Sequence, residues 1–81
     1  MDMGKAIKKC RNAKNLTQKE LAKRAEISIS YLSLLEKGKR DPNISVLKAI
    51  CKAMHIPLTI LVFIATEKDE VPELGEDVAD K

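Results

Sequence analysis

Residues 17–38, TQKELAKRAEISISYLSLLEKG, decide the fold of this chain. Thr17 can cap a helix, because its side-chain oxygen can accept from the backbone amide of Glu20 while the Glu20 carboxylate reaches back to the amide of Thr17. Ser28 offers a second cap a few residues later, and Gly38 offers a natural stop. The stretch therefore predicts two short helices joined by a tight turn, and helices this close must cross at a steep angle.

The first helix of this pair is amphipathic. Leu21, Ala22 and Ala25 recur at helical spacing and form one apolar face. The opposite face carries three basic residues: Lys19, Lys23 and Arg24. One face is therefore suited to a protein core and the other to water. Glu26 follows in the turn, where a left-handed backbone would cost it about 1 kcal/mol relative to glycine.

Three further helices are predicted around this pair. The first covers about residues 4–13, where Ile7 and Cys10 face inward. Another begins at the cap Asn43 and ends at His55, because histidine tolerates a left-handed conformation better than a β-branched residue does. Pro57 then opens the last helix, at a position where its missing amide costs nothing. These elements predict an all-α chain with five helices.

Charge is divided unevenly along the sequence. Residues 1–65 carry 13 Lys and Arg against 5 Asp and Glu, a balance of +8, whereas residues 66–81 carry 2 against 7, a balance of −5. A basic body suits a polyanion such as nucleic acid, although a solvated basic surface gives the same count. The acidic tail has little to bury, so we expect it to be flexible.

Composition argues against several other classes of protein. The longest apolar run, residues 56–65, has ten residues, whereas a membrane-spanning helix needs about twenty. Without a signal-peptide pattern near the N-terminus, we expect a cytoplasmic protein with no membrane partner. A single histidine, scattered glycines and no metal-ligand spacing argue against an enzyme, and we expect no cofactor, metal or small-molecule ligand. Cys10 and Cys51 are expected to be free thiols in the core.

The motif and its surroundings resemble the Cro and phage-repressor type of helix-turn-helix, which is found in bacterial and phage transcriptional regulators. The resemblance covers about residues 3–62. The matching positions are Gly4, Ile7, Arg11, Leu16, Thr17, Gln18, Leu21, Ala22, Ile27, Ser28, Tyr31, Leu32, Ser33, Glu36, Gly38, Lys39, Arg40 and Pro42. The resemblance implies a compact five-helix, lambda-repressor-like DNA-binding domain over residues 1–65, with its motif at about 17–38.

In this family the third helix enters the major groove, and its first turn faces the base edges. The positions that would face the bases are Ser28, Ile29, Ser30, Tyr31 and Leu34. No Gln, Asn or Arg lies between residues 27 and 36 to make paired hydrogen bonds with a base, so specificity is expected to be modest or to depend on DNA shape. A protein-binding surface is the alternative for Ile29 and Leu34.

The resemblance also implies contacts with the DNA backbone. Gln18 opens the second helix, whose positive dipole end favours an anion. The full set of phosphate-contacting candidates is Gln18, Lys19, Lys37, Lys39, Arg40 and Asn43. The family counterparts of Arg11 and Glu36 form an ion pair between the first and third helices, so we expect this pair to support the scaffold.

The fifth helix is apolar on nearly every side. A terminal helix of a small domain buries one stripe against its own core, so the remaining side chains need another partner. We expect homodimerisation, with Ile60, Phe63 and Ile64 at the interface. Burial of this helix in an unusually deep groove is the alternative.

Two functions follow from these patterns. The first is a sequence-specific DNA-binding transcriptional regulator, with repression as the commonest role, that binds a palindromic operator as a homodimer with the third helix in the major groove. The second is a protein-interaction module, such as the antitoxin of a toxin–antitoxin pair or a helix-turn-helix that binds only protein.

Overall fold

The computed structural model describes residues 1–66, which form five α-helices. The helices are α1 Met3–Ala13, α2 Gln18–Ala25, α3 Ile29–Glu36, α4 Ile44–Met54 and α5 Leu58–Thr66. The prediction of an all-α fold with five helices is confirmed for residues 1–66. Of the predicted acidic tail, Thr66 is the last residue of α5, and residues 67–81 lie outside the described residues.

Side-chain caps start four of the helices. Thr17 Oγ1 accepts from the Glu20 amide at 3.0 Å, and Glu20 Oε1 accepts from the Thr17 amide at 2.8 Å, which completes the predicted capping box. Asp2, Ser28 and Asn43 cap α1, α3 and α4 in the same way. The hydrogen bond from the Thr17 amide lowers the pKa of Glu20. This contribution to stability is therefore present above the unfolded-state pKa and is lost as pH falls through the lower folded-state pKa.

Backbone geometry at the helix ends follows the residues found there. His55 ends α4 in the left-handed conformation (φ 58°), as predicted. Gly38 (φ 76°) follows α3, where its amide donates to the Leu35 carbonyl at 3.1 Å and the Lys39 amide donates to Leu34 at 2.9 Å. This pair of hydrogen bonds is a Schellman motif, which satisfies carbonyls at the end of the helix.

Pro57 lies one position earlier than predicted. We expected it to be the first helical residue of α5, but that helix begins at Leu58. The Pro57 carbonyl accepts from the amides of Ile60 at 3.1 Å and Leu61 at 3.4 Å. Pro57 therefore occupies the capping position, where the carbonyl takes the first helical hydrogen bonds and a missing amide still costs nothing.

Replacing Glu26 by glycine should stabilise the fold. Glu26 ends α2 with φ 60° and ψ 41°, a left-handed conformation that costs a residue with a Cβ about 1 kcal/mol more than glycine. We expect Glu26→Gly to raise the free energy of unfolding in urea by that amount. Glu26→Ala removes the same charge but keeps the Cβ, so it should give no gain. An equal gain in both variants would assign the effect to charge instead.

The core draws on all five helices. Its fully buried large side chains are Ile7, Leu21, Leu32, Leu35, Ile50, Met54 and Leu61. Cys10 and Cys51 are also buried and free, as expected, and burial raises the pKa of both thiols. The central packing partners are α2 with α4 and α3 with both α1 and α2. The inner face of α3 is therefore committed to the core, which leaves its outer face to solvent.

Gly4 allows α1 to lie directly against the end of α3. A Cβ at this position would overlap the carbonyl oxygen of Leu35 and would lie 3.0 Å from the carbonyl oxygen of Glu36. Only hydrogen fits between these two backbones. The close approach brings the middle of α1 within reach of the last turn of α3.

Candidate nucleic-acid interface

A buried ion pair sets the position of α3. Arg11 Nε lies 2.7 Å from Glu36 Oε2, and Arg11 Nη2 lies 3.0 Å from Oε1, so the pair is bidentate. Arg11 Nη1 also donates to the Leu16 carbonyl at 2.9 Å. Both residues are only 8% exposed, and the hydrogen bond to Glu36 raises the pKa of Arg11. These contacts connect α1, α3 and the segment before α2 through one guanidinium group.

Gln18 also belongs to this buried arrangement. Its side-chain amide donates to Glu36 Oε1 at 3.0 Å, and the side chain is half-buried. We expected Gln18 to face the DNA backbone, but its side-chain donor is shared with the ion pair. The neighbouring candidate Lys19 is exposed. A phosphate at this end of α2 would meet first-turn backbone amides, which have no partner within a helix.

The structure divides the predicted base-facing residues into two groups. Ser28, Ile29 and Ser30 are exposed at the start of α3, with Ile29 45% exposed. Tyr31 and Leu34 are half-buried, and Tyr31 packs against the core. The first turn of α3 is therefore the part of this helix that a partner can reach most freely.

The exposed turn offers few polar groups. Ser28 Oγ accepts from the Tyr31 amide at 3.0 Å, which leaves its hydroxyl hydrogen free to donate. Ser30 offers a second hydroxyl group, and Ile29 between them offers methyl groups that fit against a thymine methyl group. This surface can make single hydrogen bonds and apolar contacts, but no paired hydrogen bonds to a base.

Three exposed cations follow α3, and we call Lys37, Lys39 and Arg40 the basic cluster. The Arg40 guanidinium carbon lies 5.6 Å from the centre of the Tyr31 ring, within the range of a cation–π interaction. The aromatic ring thus holds one cation of the cluster beside the exposed turn. Asn43, another predicted phosphate contact, caps α4 by accepting from the Val46 amide at 2.8 Å, so its side-chain NH₂ group is still available to donate.

Helix α5 presents two exposed apolar residues to solvent. Ile60 is 45% exposed and Phe63 is 60% exposed, whereas Leu61 and Ala65 on the other side are buried. Ile64 was predicted at the same interface, but it is half-buried and packs against the core. The exposed stripe of α5 is therefore narrower than the sequence suggested.

Sequence reasoning missed three features of this surface. The contacts Gln18–Glu36 and Arg40–Tyr31 join residues that are distant in the chain, and no periodicity signals them. Ile44 is 58% exposed at the first position of α4. Helical spacing gives no signal for this exposure, because Ile44 lies three residues before the buried Leu47 and seven before the buried Cys51, on the same side of the helix.

None of the individual helices in residues 1–66 is long and apolar enough to cross a membrane; α4 and α5 reach that length and composition only together, with a bend of 105° between them. In the same residues, no group of three or more His, Cys, Asp or Glu side chains is arranged to hold a metal ion.

A helix pair with a tight turn, an exposed first turn on its second helix and a basic cluster beside it define the helix-turn-helix class of protein. Comparison of sequences agrees with this classification. The chain belongs to the helix-turn-helix family, whose model matches residues 7–61.

Similar proteins carry the names of transcriptional regulators. The chain is 32% identical over 66 residues to the transcriptional regulator ClgR of Mycobacterium tuberculosis, covering 82% of this chain and 59% of that protein. It is 37% identical over 62 residues to the immunity repressor protein of Bacillus phage phi105, covering 76% and 43%. The chain therefore spans about half the length of these two relatives.

Solved structures show the same fold. The crystal structure of the clp gene regulator ClgR from C. glutamicum matches with a TM-score of 0.83 and 27% identity, over 86% of this chain and 91% of that chain. These relatives are named as regulators, which agrees with the expectation of a regulatory protein.

Proposed function

We propose that this protein is a sequence-specific DNA-binding transcriptional regulator, acting as a repressor, with α3 in the major groove. The observation that carries this proposal is the exposed first turn of α3, Ser28 to Ser30, beside the basic cluster. A helix that enters the groove presents hydrogen-bonding groups and apolar groups to the base edges, and cations beside it contact the flanking phosphates. The names of two relatives, a transcriptional regulator and an immunity repressor protein, support the same function.

In the proposed complex, the protein selects its site both by direct contacts with base edges and by the shape of the DNA. Ser28 and Ser30 each donate one hydrogen bond, and Ile29 contacts a thymine methyl group. Lys37, Lys39 and Arg40 bind phosphates on the flank, together with Lys19, Asn43 and the amide end of α2 at Gln18. Because few groups read bases directly, DNA shape contributes to the choice of site. Selection of bound duplexes from a random pool tests this proposal, and failure to enrich any sequence would contradict it.

Removing two cations of the basic cluster should weaken binding to every DNA sequence. With two fewer phosphate contacts, the plot of log K against log salt becomes less steep, and the magnitude of its negative slope falls by about 1.8. We therefore expect Lys39→Ala with Arg40→Ala to lower DNA affinity about tenfold or more at low salt, measured by fluorescence anisotropy. Lys8→Ala with Lys9→Ala removes equal charge from the exposed face of α1 and should change affinity far less.

The proposed regulator is a homodimer joined through α5. Ile60 and Phe63 are exposed, and Ile64 borders them. Covering large apolar side chains of this kind with a second copy removes them from water. In such a dimer, two copies of α3 would read the half-sites of a palindromic operator about 34 Å apart.

Replacing Phe63 by serine should separate the proposed dimer. Phe63 is 60% exposed in one chain, so its loss should leave the fold intact. Light scattering should give twice the chain mass of 9.0 kDa for the natural protein and 9.0 kDa for Phe63→Ser. Ile44→Ser, at a residue of similar exposure outside α5, should stay dimeric. A natural protein that is monomeric at all working concentrations would contradict the dimer.

The exposed apolar residues Ile29 and Phe63 also favour a second candidate function. This candidate is a protein-interaction module, such as the antitoxin of a toxin–antitoxin pair or a helix-turn-helix that binds only protein. The Lys39→Ala, Arg40→Ala variant distinguishes the two functions. If the natural chain binds DNA and the variant loses this binding for all sequences, the regulator is supported. If the natural chain binds no DNA but binds a protein partner tightly, the module is supported.

A further inference from the structure

The described chain ends close to the basic cluster. The backbone amide of Asp2 donates to the carbonyl of Ala65 at 3.1 Å, which joins the start of α1 to the end of α5. The carboxylates Asp2 and Asp41 line a surface cleft together with Gly38 and Arg40. Thr66, the last described residue, therefore follows a residue that is hydrogen-bonded to Asp2, and Asp2 lines the cleft that Arg40 shares.

The cations beside this cleft have no acidic partner among the described residues. The side-chain ion pairs described within residues 1–66 join Lys5 to Asp2 and Arg11 to Glu36. They leave Lys37, Lys39 and Arg40 exposed without a carboxylate. Although the exposed Asp41 follows Arg40 in the chain, the cluster has three cations against this one carboxylate and can accept a further anionic group.

The chain supplies such a group directly after Thr66. Residues 67–81, which we call the acidic segment, contain 7 Asp and Glu against 2 Lys, a balance of −5. Fifteen residues can span at most about 50 Å, so the segment can reach every part of the cluster. Because it is tethered, its effective concentration at the cluster is of millimolar order, far above that of a free peptide.

We propose that the acidic segment of each chain binds the basic cluster of the same chain and competes there with DNA phosphates. The proposal rests on the proposed function. Its carboxylates take the places that phosphates would take on Lys37, Lys39 and Arg40. The competition lowers affinity for all DNA by a similar factor, so only sites with good base contacts are occupied.

Tyr31 gives a readout that needs no DNA. It is the single tyrosine of a chain without tryptophan, and Arg40 lies over its ring. We expect the Tyr31 fluorescence and the backbone NMR shifts of Lys39 and Arg40 to change between about 50 and 200 mM salt, as the segment is released. A variant of residues 1–81 with a neutral segment, in which every Asp is Asn and every Glu is Gln over residues 67–81, should show no such change.

Two controls locate the binding site. Lys37→Gln with Lys39→Gln should remove the salt-dependent change, whereas Lys8→Gln with Lys9→Gln on α1 should keep it. The reverse result would place the segment on α1 and overturn the proposal. The same measurement on Phe63→Ser removes the proposed dimer; a change that still depends on protein concentration there would assign the segment to a second copy and would also overturn the proposal.

DNA binding provides the second arm of the experiment. The neutral-segment variant should bind DNA about tenfold more tightly than the natural chain at low salt, with the difference fading as salt rises. Lys68→Gln with Lys81→Gln makes the segment more acidic and should weaken binding instead. Equal affinities in all three chains would overturn the competition. Salt-dependent Tyr31 signals with no DNA binding by any chain would overturn the proposed function but support the docking of the segment.

Discussion

Replacing Glu36 by alanine is expected to lower the free energy of unfolding by about 3 to 5 kcal/mol. The Glu36 carboxylate accepts hydrogen bonds from two nitrogens of the buried Arg11 guanidinium and one from the Gln18 side chain. Its removal leaves a charged group, 8% exposed, without its counterion. The desolvation cost of that unpaired charge is the main reason for the large effect. Urea unfolding followed by circular dichroism measures it.

A double substitution separates the cost of an unpaired charge from the value of the pair. Arg11→Met with Glu36→Leu replaces both charges by apolar groups of similar size, and such exchanges are often neutral or stabilising. We expect this variant to recover most of the stability lost in Glu36→Ala. The Leu16 carbonyl and the Gln18 amide lose their partners in it, so recovery should be incomplete. A single Glu36→Ala variant that unfolds like the natural protein would contradict the role assigned to the pair.

Replacing Gly4 by alanine is expected to destabilise the fold by about 3 kcal/mol, although alanine is the better helix former. The added Cβ would overlap the carbonyl oxygen of Leu35, which is a backbone atom and cannot turn aside. Helix α1 must therefore move away from α3, and this motion also stretches the Arg11–Glu36 pair. Thermal and urea unfolding measure the loss.

The matched control for Gly4→Ala lies on the exposed face of the same helix. Lys8→Ala and Lys8→Gly differ only in helix propensity, so alanine should be the more stable of the two by about 1 kcal/mol. At Gly4 the order should be inverted. A stabilised Gly4→Ala variant would mean that the two helices separate at little cost and that their close approach does not hold α3 in place.

The predictable parts of this fold are those that depend on neighbouring residues. The capping box of Thr17 and Glu20 joins positions three apart, and both hydrogen bonds form as expected. The left-handed end of α4 at His55 likewise needs only the local backbone. The Pro57 boundary shifts by one residue, because a proline carbonyl serves equally well at the cap and at the first helical position.

The candidate site was harder to predict than the fold. The motif identifies which residues of α3 are candidates to face the bases, but it does not give their solvent exposure. Tyr31 and Leu34 are more buried than Ser28 to Ser30. Gln18 has the right position for a phosphate contact, yet its side chain donates to Glu36 eighteen residues away. Ile64 belongs to an apolar helix, but the angle of α5 against the core decides which side is covered.

The sequence alone determined five helices, the ends of α2, α3 and α4, and the membership of a helix-turn-helix class, because caps, turns and apolar spacing act over about four residues. Only the tertiary structure decided which side chains are left for a partner. The approach of α1 to α3 at Gly4, the Arg11–Glu36 pair and the stacking of Arg40 on Tyr31 join distant parts of the chain. Their distances depend on how whole helices pack, and packing depends on every core side chain at once.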